Sequence, residues 1–308
     1  MKFQSESKYF DLHVNGYAGI DFNKLDITEK ELEFACYKLF QDGVEGILVT
    51  LITDDFERMI LKVKNLSSLI KSNNTVNSII KGIHVEGPFL NPADGFRGAH
   101  PKEHVLKADL DKVKGILNAG NGLIRLFTLS PEVDSEFKLI RYLIKNNVVV
   151  SAGHSDASLD QLQGAIESGL KMFTHLGNGT PNILQRHNNI INRVLSVSDQ
   201  IYVCFIADGI HIPDFALKNY LRAVDINRCI ITTDCMSAAS APPGKYSISH
   251  IRVEVGKDKI VRELGKDNLA GSAITMHESE QFLAERLSIE ETQIDKMLYQ
   301  NAKNLLKL

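Results

Sequence analysis

Eight short apolar runs alternate with segments of helical period along most of this 308-residue chain. Buried parallel strands have this appearance. The predicted strands span residues 9–14, 46–52, 82–86, 123–129, 148–152, 172–175, 201–207 and 229–234. Strands that alternate with helices favour an α/β fold in which a parallel sheet closes into a (β/α)₈ TIM barrel. An open doubly wound sheet is the competing architecture, but no glycine-rich dinucleotide fingerprint follows the first strand.

The segments between the strands carry helix signals. Thr28 and Glu31 form a capping-box pattern ahead of an apolar-periodic stretch. The predicted helices cover residues 28–40, 54–70, 139–144, 161–170, 214–223 and 276–287. No linker divides the chain, so residues 1–308 are predicted to form a single barrel domain.

Two stretches are longer than the connections that a minimal barrel needs. Residues 88–101 form a loop rich in glycine and proline after the third predicted strand. Residues 236–270 follow the eighth and contain an alternating segment that predicts a β-hairpin turning at Gly256, Lys257 and Asp258. Both insertions are expected on the side of the barrel where loops build active sites.

Charge and cysteine usage limit the possible partners and compartments. The net charge is −3 with both signs scattered, which favours neither nucleic acid nor an anionic membrane as a partner. No apolar run approaches the length of a membrane span, and the first residues contain no apolar signal-peptide core. The four cysteines form no CxxC pair, and two lie inside apolar runs as buried thiols would. The chain is therefore predicted to be cytoplasmic.

Polar residues capable of chemistry end nearly every predicted strand. His154 and His175 follow two successive strands in matching positions, so their imidazoles could converge on one metal ion. The other candidates at strand ends are Asp11, His13, Asn15, His84, Glu86, Asp208, His211 and Asp234. Some of these side chains could simply satisfy backbone groups, but so many histidines and acids in corresponding positions indicate a functional site.

Imidazole and carboxylate groups around a cavity are ligands that suit a divalent ion such as zinc. Zinc lowers the pKa of a bound water to about 7. A carboxylate that does not bind the ion can take the proton of that water and later pass it to a leaving amine. These residues therefore predict a metal-dependent hydrolase.

The strand-end motifs also resemble those of the amidohydrolase superfamily, and within it the N-acetylglucosamine-6-phosphate deacetylases. The similar segments follow the order of the family and span almost the whole chain. They are DLHVNGYAG (11–19), GIHVEGPFLN (82–91), GAHP (98–101), SAGHS (151–155), THLGNG (174–179), IADGIH (206–211), TTD (232–234) and LAGS (269–272).

The resemblance implies a role for each matching residue. Glu86, His154 and His175 match metal ligands, Asp234 matches the general acid and base, and His211 matches a histidine that contacts substrate and polarises the acetyl carbonyl. Arg186 matches an arginine that reaches the sugar phosphate bound by a neighbouring subunit, which implies a homodimer. The remaining substrate contacts implied are Ala99, His100, Asn178, Gly179, Leu269, Ala270 and Gly271.

Three departures from the family pattern shape the expectations. The chain leaves no room for the small β-sandwich that family members usually build from both chain ends, so a short form is expected. Asn15 stands where the superfamily has the second histidine of a His-x-His pair, which favours one divalent ion, zinc, over two. Glycines follow His175 where the family often has bulkier side chains, which bears on sugar specificity.

The predicted function is removal of acetate from an N-acetylated amino sugar, with N-acetylglucosamine 6-phosphate as the favoured substrate. Two alternatives stay open. The first is the same chemistry on another N-acyl substrate, such as an unphosphorylated or galacto-configured amino sugar. The second is an inactive barrel that serves as a sugar-phosphate sensor or scaffold.

Overall fold

An eight-stranded parallel sheet forms the centre of the computed structural model, which describes residues 8–265 and 269–308. Its strands, β1 to β8 in chain order, are Tyr9–Val14, Val44–Ile52, Ile80–Glu86, Ile124–Leu129, Val149–Ala152, Met172–Phe173, Tyr202–Ile206 and Cys229–Thr232. Each strand pairs with its neighbour in sequence. A parallel bridge between Val14 and Cys235 brings the first strand beside the last. The predicted α/β barrel is confirmed.

Helices separate the strands, and each of the six predicted helices is present within a few residues of its predicted start, while five further helices were not predicted. Thr28 caps the first helix, and its hydroxyl accepts a hydrogen bond from the Glu31 N–H while Glu31 accepts one from the Thr28 N–H. The α-helices are Glu29–Gln41, Phe56–Ser72, Asn74–Ile79, Leu110–Gly120, Lys138–Lys145, Leu159–Glu167, Ile190–Leu195, Asp214–Ala223, Met276–Gln281, Glu291–Asp295 and Asn301–Leu306.

Shorter elements accompany the helices, including an antiparallel pair of two-residue strands, Gly16–Tyr17 and Ile20–Asp21. Two π-turns continue α-helices at Phe282–Arg286 and Lys296–Gln300. The 3₁₀ turns are Lys102–His104, Pro131–Val133, Ser135–Phe137 and Ile226–Arg228. Within the two described ranges, no helix combines the length and apolar character needed to cross a membrane.

Two strands end two residues earlier than predicted, and the reason lies in the backbone. Strand β6 was expected to reach His175 but ends at Phe173, and β8 was expected to reach Asp234 but ends at Thr232. His175 and Asp234 have φ angles of 34° and 48°. These left-handed conformations interrupt the extended ladder just where the chain turns into the loops.

One end of the barrel is closed by the end of the chain. Apolar side chains from strands on all sides of the barrel pack together, and residues of the helix Asn301–Leu306 pack against them. The members of this cluster are Phe10, Leu12, Leu48, Leu126, Met172, Cys204, Ile230, Ala302, Leu305 and Leu306. Arg125 also donates a hydrogen bond to the Leu306 carbonyl at 2.9 Å. The carboxyl end of the strands is therefore the end available for a site.

The insertion after β8 forms a small antiparallel sheet. Its strands are β9 (Gly244–Ile248), β10 (Ile251–Val255) and β11 (Val261–Glu263). Strands β10 and β11 pair in the predicted hairpin, with Val255 opposite Val261. Along β10 buried residues alternate with exposed ones, which is the period-2 pattern that made the hairpin predictable. Strand β9 was not predicted.

Candidate active site

Four of the predicted site residues stand at the carboxyl end of the barrel. Glu86 ends β3, while His154, His175 and Asp234 each lie two residues beyond the end of a strand. His154, His175 and Asp234 all have left-handed φ angles, of 51°, 34° and 48°. Such conformations cost a non-glycine residue about 1–3 kcal/mol and persist where the surrounding structure enforces them, commonly at functional sites.

Four imidazoles surround the Glu86 carboxylate. His154 Nε2 and His175 Nε2 lie 3.3 and 3.0 Å from Glu86 Oε1. His13 Nε2 and His100 Nε2 each lie 3.5 Å from Glu86 Oε2. Among the described residues, two groups place their donor atoms within 4.8 Å of one another, namely His13–Glu86–His175 and Glu86–His100–His154. All five residues are buried.

This donor set fits a divalent metal ion. Around a tetrahedral zinc, with bonds of about 2.0–2.1 Å to nitrogen and oxygen, neighbouring ligand atoms lie about 3.3 Å apart. His154 and His175 belong to different groups, and the distances of their Nε2 atoms from Glu86 Oε1 are both close to that value.

The cluster shifts the pKa values of its own members. Burial acts to raise the pKa of Glu86, but the surrounding imidazoles, His13 first, hold it well below its usual range. Burial acts to lower the pKa of His13, yet the carboxylates of Asp234 and Glu86 raise it to about 9. Burial and the neighbouring His154 lower the pKa of His100 to about 4. His100 is thus neutral near pH 7.

Asp234 lies beside this cluster, and one of its two carboxylate oxygens accepts a hydrogen bond. Its Oδ1 accepts a hydrogen bond from Asn15 Nδ2 at 2.8 Å and lies 3.0 Å from His13 Nε2. The Asp234 side chain is 17% exposed, against 4% for Glu86. Asp234 is therefore the carboxylate of the pair that solvent or a bound molecule can reach.

His211 is held at the cavity by Asp208, which follows β7. The N–H groups of Ile210 and His211 donate to Asp208 Oδ1, both at 2.8 Å, and His211 Nδ1 donates to Asp208 Oδ2 at 2.6 Å. Burial acts to lower the pKa of His211, but its bond to Asp208 outweighs burial and raises that pKa. The protonated form of His211 therefore persists to a higher pH than that of a free imidazole.

His84 and Asp11, also candidates from the sequence, lie among the strands instead of lining the cavity. His84 Nδ1 and Nε2 bond to the hydroxyls of Thr50 and Thr128 at 3.1 and 2.8 Å. Asp11 accepts hydrogen bonds from the hydroxyls of Thr232 and Thr233 at 2.6 and 2.5 Å. These bonds tie neighbouring strands together and give both residues a structural role beneath the site.

A cavity of about 150 Å³ opens next to the Glu86 cluster. Every predicted catalytic, metal and substrate residue except Arg186 lines it. The lining residues are Asn15, Ile52, Glu86, Gly98, Ala99, His100, His154, His175, Asn178, Gly179, His211, Asp234, Ile248, Ile251, Leu269, Ala270 and Gly271. Ile248 and Ile251, from the inserted sheet, were not predicted at the site. The apolar positions alternating along that insertion were the signal that one of its faces is buried.

Two glycines hold the loops tightly against His154. A Cβ atom on Gly179 would lie 2.7 Å from His154 Nδ1, and one on Gly98 would lie 3.0 Å from His154 Cε1. Both glycines also have positive φ angles, of 60° and 58°. The glycine after Asn178, noted as a departure from the family pattern, is thus required by the close approach of its loop to the imidazole.

Arg186 lies outside the cavity of its own chain. It is exposed in the loop between β6 and the helix Ile190–Leu195, and it makes no hydrogen bond or ion pair within the described ranges. Ile183 in the same loop is 91% exposed. Arg186 does not line the cavity, so its contact with substrate stays a prediction.

Comparisons with known proteins find similar deacetylases, although no protein-family model matches the chain. The N-acetylglucosamine-6-phosphate deacetylase of Bacillus subtilis (strain 168) is 30% identical over 299 residues, which cover 96% of this chain and 74% of that protein. The N-acetylgalactosamine-6-phosphate deacetylase of Shewanella sp. (strain ANA-3) is 30% identical over 283 residues, which cover 91% and 68%.

A solved structure shows the same similarity in three dimensions. It is a mutant of the N-acetyl-D-glucosamine-6-phosphate deacetylase from Mycobacterium smegmatis, in complex with N-acetyl-D-glucosamine-6-phosphate. It matches with a TM-score of 0.88 and 26% identity, covering 97% of this chain and 77% of that one. The chain therefore belongs to the N-acetylglucosamine-6-phosphate deacetylase family of the amidohydrolase superfamily.

Proposed function

We propose that this protein hydrolyses the amide bond of N-acetylglucosamine 6-phosphate and releases acetate, with residues 1–308 acting as one barrel domain. One observation carries the proposal. The cavity that holds the Glu86 cluster also holds Asp234, a carboxylate 3.0 Å from His13 and accessible from the cavity. The names of the similar proteins, and the substrate bound in the Mycobacterium smegmatis structure, supply the substrate class.

Glu86, His154 and His175 would hold one divalent ion, zinc in our proposal. When bound, the ion would polarise the acetyl carbonyl and lower the pKa of water. We propose a single ion because Asn15 stands where a second histidine would be, and its amide donates to Asp234 Oδ1, which also lies 3.0 Å from His13 Nε2. A neutral amide such as that of Asn15 is a poor zinc ligand beside imidazole.

Asp234 acts first as a general base and then as a general acid. Because Asn15 and His13 both engage Oδ1, the Oδ2 atom remains to take a proton from the attacking water. The same oxygen then returns the proton to the nitrogen of the amide. Protonation is needed because an unprotonated amine is a poor leaving group. Asn15 and His13 keep the carboxylate in one orientation through both steps.

His211 supplies positive charge at the carbonyl oxygen. Its Nδ1 proton is committed to Asp208 at 2.6 Å, so only the protonated ring has a second proton, on Nε2, to donate. The raised pKa of His211, which its bond to Asp208 produces against the effect of burial, favours that form. A donor placed where negative charge develops in the transition state stabilises it without reorganisation.

The sugar is proposed to contact the cavity walls formed by Ala99, His100, Asn178, Gly179, Leu269, Ala270 and Gly271. We further propose a homodimer in which Arg186 reaches the phosphate bound by the partner. The exposure of Arg186 supports this, because its guanidinium makes no hydrogen bond or ion pair within the described ranges and its planar fork suits a phosphate. Four free, buried cysteines support a reducing, cytoplasmic location.

A deacetylation panel on metal-loaded protein tests the proposal. The substrates are N-acetylglucosamine 6-phosphate, its galacto-configured epimer and free N-acetylglucosamine, and the readout is acetate released. The highest kcat/KM is expected for N-acetylglucosamine 6-phosphate. The galacto epimer is the second candidate, because a similar protein named for that substrate is also 30% identical. Acetate from none of the three would favour a sensor or scaffold role.

A further inference from the structure

Arg193, on the helix Ile190–Leu195, joins two loops at the carboxyl end of the barrel through its guanidinium group. Its Nη1 atom donates to the backbone carbonyls of Asp156 and Ala157 and to Asp156 Oδ1, at 3.1, 2.9 and 2.9 Å. Its Nε and Nη2 atoms donate to Oδ1 and to the backbone carbonyl of Asn188, at 2.7 and 2.8 Å. A guanidinium can only donate and a carbonyl oxygen can only accept, so the direction of these bonds is fixed.

One of the two loops contains residues 185–188 and therefore Arg186. All four residues are exposed, so burial of apolar side chains does not hold their backbone in place. Polar bonds hold it instead, because three of the four backbone carbonyls accept a hydrogen bond from a side chain that follows. The pairs are Asn189 Nδ2 to Gln185, Asn192 Nδ2 to His187 and Arg193 Nη2 to Asn188, at 2.8, 3.0 and 2.8 Å.

Arg193 is the donor that ties this segment to the rest of the barrel. Among the described residues, the side chains of the two asparagines bond only inside residues 185–192. Arg193 also contacts Asp156, which lies in the loop after β5. That loop is itself held, since the Asp156 N–H donates to Glu132 Oε1 at 2.7 Å. The Arg193 side chain is only 13% exposed, as a charged group enclosed by its partners would be.

We infer that Arg193 is a positioning residue that holds the backbone of Arg186 for binding of the sugar phosphate. The inference rests on the phosphate contact proposed for Arg186 and adds a residue that does not line the cavity. A loop fixed in its binding conformation loses less entropy when the ligand binds. Lysine could keep the charge beside Asp156, but it lacks the planar fork of five donors that reaches both loops at once.

Arg193→Lys and Arg193→Ala, each alone and combined with Arg186→Ala, test this on metal-loaded protein. The readouts are kcat and KM for N-acetylglucosamine 6-phosphate and for the free sugar, and Kd for glucosamine 6-phosphate by titration calorimetry. KM and Kd for the phosphorylated sugars should rise about tenfold, the scale of a lost charged hydrogen bond. The kcat values and KM for the free sugar should stay parental, because lost ground-state binding raises KM alone.

Two comparisons separate positioning from a general structural role. If Arg193 acts through Arg186, the double variants should match Arg186→Ala alone instead of adding to it. Arg286→Lys is the matched control, since its guanidinium pairs with Asp214 at 2.7 Å outside these loops, and it should keep the parental values. Asn188→Ala removes one acceptor of the Arg193 guanidinium at an exposed position and should raise the same KM and Kd to a smaller extent.

Parental KM and Kd in the Arg193 variants, or in Asn188→Ala where those variants do not fold, would overturn the inference. Equal losses on phosphorylated and free sugars would also overturn it, as would an additive loss in the double variants. A parent protein that binds glucosamine 6-phosphate but releases acetate from neither sugar would refute the proposed deacetylation. In that case the Kd values would still decide the role of Arg193.

Discussion

Asp234→Asn isolates the chemical role of the carboxylate with little structural change. Asparagine has nearly the same shape, and it tolerates the left-handed backbone (φ 48°) that Asp234 adopts. Its side-chain oxygen can still accept the hydrogen bond that Asn15 Nδ2 makes to Oδ1 at 2.8 Å. What the substitution removes is the ability to take up and return a proton.

The expected loss in kcat is about 10²–10⁴-fold, the usual contribution of a general acid or base. At about 1.4 kcal/mol per tenfold, this raises the barrier by about 3–5 kcal/mol. Metal content should stay parental, because neither group of donor atoms that could hold an ion includes Asp234. Stability should change little, since the side chain is 17% exposed and its bond to Asn15 is retained.

The assay is acetate release under saturating substrate, with metal content measured on the same samples. Asp258→Asn, at the exposed turn of the inserted hairpin, is the matched control and should keep the parental kcat. An Asp234→Asn protein with full metal and near-parental kcat would refute the assignment of Asp234 as the proton carrier.

Three further predictions concern the ion, the phosphate and pH. His175→Ala should lose most of its metal, whereas His13→Ala should keep parental stoichiometry because His13 contacts Asp234 and is not proposed as a ligand. Arg186→Ala should raise KM about tenfold or more for a 6-phosphate sugar, since charge-assisted bonds contribute about 1.5–3 kcal/mol, and leave KM for the free sugar unchanged. Asp208→Asn removes the group that raises the pKa of His211, so kcat/KM should begin to fall at a lower pH than in the parent.

Each of these predictions has a contradicting result. Metal analysis that finds full occupancy in His175→Ala, or a second full-occupancy ion on His13, would show that the ligand set is wrong. Equal effects of Arg186→Ala on both sugars, or a strictly monomeric active protein, would count against phosphate binding across an interface. An unchanged alkaline limb in Asp208→Asn would mean that protonated His211 is not required.

The barrel was predictable because its strands are buried on both faces and therefore read as continuous apolar runs. Strand β1 matched its predicted bounds, Tyr9–Val14, and Asp214–Ala223 did the same among the helices. The ends of β6 and β8 were misplaced because a left-handed φ at His175 and Asp234 leaves no trace in hydrophobic period. Glycine usually marks such turns, and here functional residues occupy them instead.

The positions of the candidate residues at strand ends predicted that their side chains would meet in one site. The environment of each side chain could not be predicted in this way. The sequence placed His84 with Glu86 among the candidates at strand ends, yet the hydroxyls of Thr50 and Thr128 hold His84 in the barrel interior. His100 was assigned by resemblance alone, and its position beside His154 depends on how a long loop folds back. Loop conformation of this kind arises from contacts distant in sequence, which no local pattern encodes.

The most direct test of the whole account is a metal titration of metal-free protein, followed by release of acetate from N-acetylglucosamine 6-phosphate. We expect no acetate release without metal. With added zinc, we expect the rate of release to rise to a plateau at one equivalent of zinc per chain. Acetate release at full rate without metal, or no release at any zinc level from protein that binds the ion, would contradict it.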